Sequence, residues 1–493
     1  MSGGSELYHG ASDISGTADL VGDELTPRPA PPGMTVYEAP RETPVHAQTD
    51  VLVVGGGPAG CAAALAARRL GAEVTLVERY NHLGGLSTGG LVIWIDRMTD
   101  WTGRLVIGGF AREILEQLPG HAVAGAPEDQ WGSRNEDAVA HWGGRQGAFR
   151  GVVTWSPMID PEWLKLASVE LLAAAGVRFL LHSWAVDVVR DGANVSGVIF
   201  ESKQGRRALL ARVVIDATGD LDICRRAGAP FQSDADGSES NIQHCLNTGW
   251  TWAGVDFARW LAFKREDPQG HRELMEEARD ALGYVERPVI GWRDDVALFL
   301  GPRLRGYSGL DVADLTRVEI QSRRRMLAHL DHFRRHAPGF ERAWLMLSAP
   351  QVGVRHTGRV LGRHPMRAEE WKHGVRHPDE IGVSPSPSQA FENVSVPYGA
   401  LLPTGLDNVL VAGRHIACDA QTQAFMREIP QCWLTGQAAG AAAALAAEAG
   451  AAGTVDVGAV DVGAVDVGEL QDALRAQGAY LQPAVRRATA RAG

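Results

Sequence analysis

An α/β fold built on a parallel sheet, with an inserted α+β domain, is what the 493-residue sequence predicts. Three observations carry the prediction. Val51–Val54 is a continuous apolar, mostly β-branched run, the composition of a strand buried on both faces. It leads into Gly55, Gly57 and Gly60 in G-x-G-x-x-G spacing, and an Ala-rich segment with helical periodicity follows. Two later runs, Val213–Asp216 and Asn408–Val411, read as further buried strands, each ending in a turn of small residues.

Taken in order, residues 1–48 are rich in Gly, Ser, Pro, Thr and acid and are expected to be disordered, because they carry too little apolar surface to offset the entropy of ordering. In the glycine loop, Gly55 permits the tight turn and Gly57 lets backbone approach a pyrophosphate. Gly60 lets the helix pack closely on the strand. A second strand, Glu73–Val77, ends in Glu78, where a carboxylate can accept hydrogen bonds from an adenosine ribose. The pattern therefore predicts an adenine dinucleotide. Leu83–Gly90 then places a second glycine cluster after the ribose strand, where a flavin threads its ribityl chain past backbone and a nicotinamide domain has no such need. Thr435–Gly440 reads as the start of a helix whose amide end faces a flavin carbonyl.

These segments, in this order, resemble the FAD-dependent oxidoreductases of the glutathione-reductase-like fold. The similarity is greatest to the bacterial group related to soluble fumarate reductases and glucose-inhibited division proteins. It rests on Val51–Gly90, Asp216–Ala229, Gly353–Gly362 and Val411–Ala444. The resemblance implies a Rossmann-like FAD-binding domain, FAD held without a covalent link, and an isoalloxazine between that domain and an inserted substrate domain. By the same resemblance, Gly55, Gly57, Gly60, Glu78, Arg79, Gly85, Gly219, Asp220, Gly413 and Gln437 are FAD contacts, together with Pro58, Ala59 and Gly84 in the same two loops. The expected division is 49–93, 182–231 and 386–452 for the FAD domain and 94–181 and 232–385 for the substrate domain. Residues 453–493 are expected to form a low-complexity linker (the near-repeat of Val-Asp-Val-Gly-Ala) and a short helix from Gly468 to Gln477.

Composition narrows the function. A net charge of −11 gives no reason to expect nucleic acid or an anionic membrane as partner, and no apolar stretch is long enough to span a bilayer. A cytoplasmic location and a small-molecule substrate are the expectation; the oligomeric state is left open, a homodimer among the options. The five cysteines are widely separated, with no C-x-x-C, which argues against a redox disulfide, zinc or an iron–sulfur cluster, so no metal is expected. Twelve of the 14 tryptophans fall in the two insertions, where they either line a pocket or pack the smaller core. The basic run Arg323–Arg325 reads as a solvated helix face.

The candidate chemistry lies in Arg355-His356-Thr357-Gly358-Arg359 and in Arg414-His415. Arg355 suits bidentate binding of a substrate carboxylate, with a structural ion pair as the alternative. His356 suits a general base near neutral pH, against a hydrogen-bonded core histidine. In the resembling family an acid usually stands at that position. Arg414 and His415 follow the third strand, at the end where this fold places its cofactor. No second G-x-G-x-x-G follows a clear strand, so no dedicated NAD(P)H domain is expected. The reading is an FAD enzyme moving two electrons as hydride between a small metabolite and flavin N5, a dehydrogenase or oxidase. The alternatives are a flavin monooxygenase and a non-catalytic or tRNA-modifying flavoprotein.

Overall fold

The computed structural model describes residues 26–27, 30–233, 246–451 and 460–483. The principal strands are β1 (Val45–Val54), β2 (Val74–Val77), β3 (Arg178–Leu180), β4 (Trp184–Asp191), β5 (Asn194–Ser202) and β6 (Gly205–Asp216), then β7 (Trp250–Ala253), β8 (Val289–Ile290), β9 (Val296–Phe299), β10 (Trp344–Ser348) and β11 (Val409–Val411). The helices needed here are α1 (Pro58–Arg69), α2 (Pro161–Ala174), α3 (Val312–His336), α4 (Ala368–Lys372), α5 (Ala420–Met426), α6 (Ile429–Ala451) and α7 (Val467–Ala476).

The main sheet runs β3-β2-β1-β6-β5-β4, with β11 also on β6. β1, β2, β3, β6 and β11 are parallel, whereas β4, β5 and the first half of β6 form an antiparallel meander. Val51–Val54 of β1, all of β2 and β11, and Val213–Asp216 of β6 are buried on both faces, as their β-branched runs require, whereas the start of β1 and Arg178 on β3 are exposed. Register aligns their carboxyl ends: Val54 pairs with Val77 on one side and Asp216 on the other, and Asp216 pairs with Val411.

α1 and α6 cross beneath this edge by way of small residues. A Cβ on Gly436 or Gly440 of α6 would run into the carbonyl oxygens of Ala59 and Ala63 on α1. Glycine at these two positions is what lets the helix backbones meet.

The inserted region has its own antiparallel sheet, β8-β9-β7-β10, packed against α3. Trp250, Trp252, Trp260, Phe299, Phe333 and Phe340 fill this second core, so three of the twelve insertion tryptophans serve its packing.

Several expected boundaries move. β1 begins at Val45, inside the segment expected to be disordered; residues 1–25 and 28–29 of that segment lie outside the described residues. β3 joins the main sheet and α2 packs on α1, so residues 161–180 belong with the parallel sheet rather than with the insertion; a three-residue strand shows no readable periodicity. The end of the chain up to 483 is docked: Val462, Leu470 and Leu474 are buried, the Tyr398 hydroxyl donates to the Val462 carbonyl at 2.7 Å, and α7 falls at the expected place. Arg325 is buried with its guanidinium 5.4 Å from the Tyr284 ring, because α3 turns that face inward; it is not part of a solvated stripe.

Gly440→Ala should destabilise the protein by about 1–3 kcal/mol, since the added methyl overpacks a helix crossing. Gly143→Ala, on the helix Glu136–Gly143 with nothing within 4 Å of the added carbon, should not. Thermal denaturation of the two variants side by side checks this.

Candidate active site

Three of the parallel strands, β1, β6 and β11, end in turns of small residues. Gly55 follows β1 at φ +102°, and a Cβ there would lie 2.5 Å from the Ala217 carbonyl oxygen. Gly60 packs against the carbonyl of Gly55, as the close helix–strand contact demands. Gly57 differs: a Cβ on it would find only the Gly85 Cα, at 3.9 Å. It caps α1 in extended conformation, no side chain caps that helix, and Pro58 opens its first turn. An uncapped helix N-terminus beside open space can accept a pyrophosphate.

The second glycine cluster is part of the same structure. Gly84, at φ +90°, donates its amide to the Gly56 carbonyl at 2.8 Å, and a Cβ on Gly85 would lie 2.7 Å from the Gly57 Cα. Glu78, buried at the end of β2, accepts from the amides of Gly56 at 2.6 Å and Tyr80 at 2.8 Å. These bonds hold the glycine loop to β2 and keep the carboxylate at the wall, with lone pairs left for a ribose hydroxyl.

At the end of β6, the Asp216 carboxylate takes the Thr218 amide and hydroxyl on one oxygen, at 3.1 and 2.7 Å. Its other oxygen takes the amides of Ile223 and Cys224, both at 3.0 Å. The Asp216 carbonyl receives the Ala412 amide and His415 Nε2, each at 3.0 Å. Arg414 pairs with the buried Asp220 at 2.6 Å, and the Thr357 hydroxyl donates to the same carboxylate oxygen at 3.0 Å.

Around these turns lies a cavity of about 1370 Å³, its open mouth included. Gly55, Gly57, Pro58, Ala59, Glu78, Arg79 and Gly85 form one wall, and Gly219, Gly413 and Arg414 the adjoining side. The rest of the lining comes mainly from the inserted region: Trp94 and Leu300, with Val92 just before it, are the apolar part, Asn247 and Gln351 the amides, Arg303 and Arg355 the charges. Arg427, Glu428, Ile429 and Cys432 close it at the start of α6.

The family model of FAD dependent oxidoreductases matches residues 50–474 of this chain. The chain belongs to that family. Among individual proteins, it is 29% identical over 215 residues to digeranylgeranylglycerophospholipid reductase 2 of Methanopyrus kandleri, covering 42% of this chain and 45% of that protein. To thiamine thiazole synthase of Aeropyrum pernix it is 30% identical over 192 residues, 37% of this chain and 58% of that one. The chain thus spans about half the length of the curated relatives it matches. A geranylgeranyl bacteriochlorophyll reductase-like protein of Thermoplasma acidophilum covers 87% of this chain and 83% of its own, at 15% identity and a TM-score of 0.41, a likeness too slight to argue from. This FAD-dependent oxidoreductase is therefore an enzyme whose cofactor is FAD, and no helix among the described residues is long and apolar enough to cross a membrane.

Several residues singled out in the sequence lie elsewhere in the oxidoreductase. α6 begins at Ile429, not at Thr435, so its amide end lies six residues earlier than expected. Gln437 consequently sits well inside α6, where it accepts from the Phe110 amide at 3.2 Å and donates to the Gln477 carbonyl at 3.1 Å, away from the cavity. His415 is fully buried on Asp216, and His356 is buried beside Arg355 without lining the cavity. Gly60, Gly84 and Asp220 shape the wall from behind. Sequence reading missed Arg303, Arg427 and Glu428. For Glu428 a signal existed: an acid, then Pro430, then an Ala-rich run, is a helix start.

Electrostatics separates the acids of the oxidoreductase. Burial pushes the Asp220 carboxyl up, but the Arg414 and Arg79 guanidiniums and the hydrogen bonds from Arg414 and Thr357 outweigh it, so its pKa lies below the ordinary 3.8. Glu428 is the reverse: burial, with Asp96 adding to it, lifts its pKa above the ordinary value despite Arg427, Arg355 and Arg303. Burial likewise pushes the Cys432 thiol up to about 12, so no thiolate faces the cavity from that position at neutral pH. No disulfide joins Cys61, Cys224, Cys418 or Cys432 among the described residues.

Two measurements follow from this geometry. Glu78→Ala should weaken FAD binding by roughly 1–3 kcal/mol, about 5- to 150-fold in Kd, by removing charged hydrogen bonds. Flavin fluorescence titration of the apoprotein reads this directly. In the wild type, Asp220 has a folded-state pKa below its unfolded value, so its contribution is present above about pH 3.8 and is lost as pH falls through the lower folded value. Arg414→Met leaves a buried carboxyl without its main cation, so acid release of FAD should begin at a higher pH than in the wild type.

Proposed function

We propose that this enzyme oxidises a small anionic metabolite, transferring two electrons as hydride to non-covalently held FAD. The observation that carries the proposal is the make-up of one cavity: a glycine-rich nucleotide cradle together with Arg303, Arg355, Asn247 and Gln351 from the inserted region and Arg427 from the start of α6. FAD supplies the two-electron acceptor; the chain supplies everything else.

Gly55, Gly57, Pro58, Ala59, Glu78, Arg79, Gly85, Gly219 and Gly413 would hold the cofactor. The α1 N-terminus would face its pyrophosphate and Glu78 its ribose. Arg355, with Arg303 beside it in the inserted region and Arg427 at the start of α6, would bind a substrate carboxylate, and the amides of Gln351 and Asn247 would fix its orientation. Val92, Trp94 and Leu300, the apolar part of the lining, would shield the reacting carbon from water. Glu428, ion-paired to Arg427 at 3.2 Å, is placed to take the proton released as a C–H beside oxygen or nitrogen is oxidised. Its raised pKa brings a carboxylate nearer to the strength such a base needs. Arg414 is assigned to the flavin side, and His356 and His415 to holding the two arginines from behind. The reductases among the relatives run hydride chemistry the other way, and the direction is what anaerobic measurement decides.

Arg355→Met should lower the rate of flavin bleaching by a carboxylic-acid substrate at least about tenfold, the equivalent of roughly 1.4 kcal/mol of lost transition-state stabilisation, with FAD content unchanged. Stopped-flow anaerobic reduction against a panel of small organic acids, amines and alcohols tests it. Bleaching at the wild-type rate in Arg355→Met, or bleaching by uncharged substrates alone, defeats the anionic-substrate reading.

A further inference from the structure

Outside the cavity lining, three side chains from three chain segments converge. His364 lies on the loop that follows the strand Gly358–Val360, Glu370 on α4, and His377 on the loop that leads to the strand Glu380–Ser384. Each offers one ligand atom, and these atoms all lie within 4.8 Å of one another. His364 Nε2 stands 3.6 Å from Glu370 Oε1, and the two imidazole rings meet edge-on with centroids 4.7 Å apart at 88°.

We propose that His364, Glu370 and His377 form a binding site for a divalent transition ion of the zinc class, independent of the flavin site. The chemistry of the set selects the ion. Two imidazoles and one carboxylate match zinc, whereas magnesium and calcium take oxygen donors. The geometry is close to what the ion needs: tetrahedral bonds of about 2.0–2.1 Å put ligand atoms about 3.4 Å apart, so small side-chain rotations suffice. A simple ion pair uses one histidine against Glu370; the second imidazole, with all three ligand atoms within 4.8 Å of one another, completes a metal-ligand set.

The surrounding backbone already fixes the ligands. The other Glu370 oxygen accepts from the Arg367 amide at 3.3 Å, the His364 amide donates to the Gly399 carbonyl at 3.1 Å, and the His377 amide donates to the Ser395 hydroxyl at 3.1 Å. His364 and Glu370 are partly open to water, which leaves room for a solvent ligand to complete the shell. The ion would add a side-chain tie between three segments that backbone hydrogen bonds already position. It would also brace α4, whose Trp371 indole donates to Thr422 on α5 at 2.9 Å; α5 leads directly to Arg427 and Glu428. Spacing alone, five residues and then six between ligands, gives no motif, which is why the site is invisible along the chain.

The test uses the untagged FAD-loaded enzyme, stripped with EDTA and titrated with zinc chloride, magnesium chloride or calcium chloride, and separately with cobalt(II). One zinc per chain by calorimetry is expected, with a rise in Tm of about 2 °C or more at saturation and none with magnesium or calcium. Cobalt should give visible bands on the long-wavelength side of the flavin absorption. His364→Gln and His377→Gln should each weaken zinc binding at least about tenfold while keeping full FAD content, and Glu370→Gln should do the same while retaining its contact to Arg367. No zinc binding, or binding of equal strength in the three variants, overturns the proposal and leaves a His364–Glu370 ion pair. FAD content and bleaching are read separately, so failure here is distinct from failure of the flavin reading.

Discussion

Val54 lies between Val77 and Asp216 in the sheet, and Asp216 lies beside Val411. Four segments, spread over more than three hundred and fifty residues of sequence, must therefore leave the sheet at one edge. Everything at the cavity follows from that register. Parallel strands put all their exits on the same side, so turns that are unremarkable singly become one continuous lip. The turns must be small because they are neighbours: Gly55 meets Ala217, and Gly85 meets Gly57.

Two kinds of force then hold the lip. Backbone amides are gathered by carboxylates, Glu78 for the first loop and Asp216 for the third, each an acceptor buried where an unmet donor would be costly. Opposite charges do the remainder: Arg414 neutralises Asp220 behind the wall, and the arginines of the inserted region stand near the buried Glu428. Glu286, buried deeper in the inserted region with a raised pKa set first by burial, meets the fields of Arg303 and Arg355 from behind. The cations of the cavity are thus balanced from two sides, by Asp220 and Glu286 behind the wall and by Glu428 within it.

The parts legible in the sequence were those whose chemistry is local. Val51–Gly60 declares a strand, a turn and a helix within ten residues, and Asp216–Gly219 and Val411–Gly413 repeat the strand-and-turn half of that statement. The rest depends on what packs against what. Thr435-Gly436 looks like a helix start, yet glycine there serves the crossing with Ala59, and the true start at Ile429 was masked by the preceding short α5. Arg325 reads as solvated until Tyr284 is placed over it. Arg303, Asn247 and Gln351 carry no motif; they become neighbours because an inserted sheet is laid across the mouth of a parallel one. The Val-Asp-Val-Gly repeat looked like a tether, but burial of Val460 and Val462 makes its far end part of the body.

The crossing of α1 and α6 also sets an order of events in synthesis. α1 is complete by residue 69, but the glycine face that packs against it belongs to residues 429–451, and β11 supplies its edge of the sheet only at 409–411. Contacts of such sequence separation close late and slowly. While the ribosome is still translating the inserted region, the alanine face of α1 has no helical partner at that crossing, and the lip lacks its Gly413–Arg414 side. A nascent chain of this protein therefore spends most of its elongation with the nucleotide loop written but unroofed. That is the interval in which chaperones, or premature contact between two growing chains, have their opportunity.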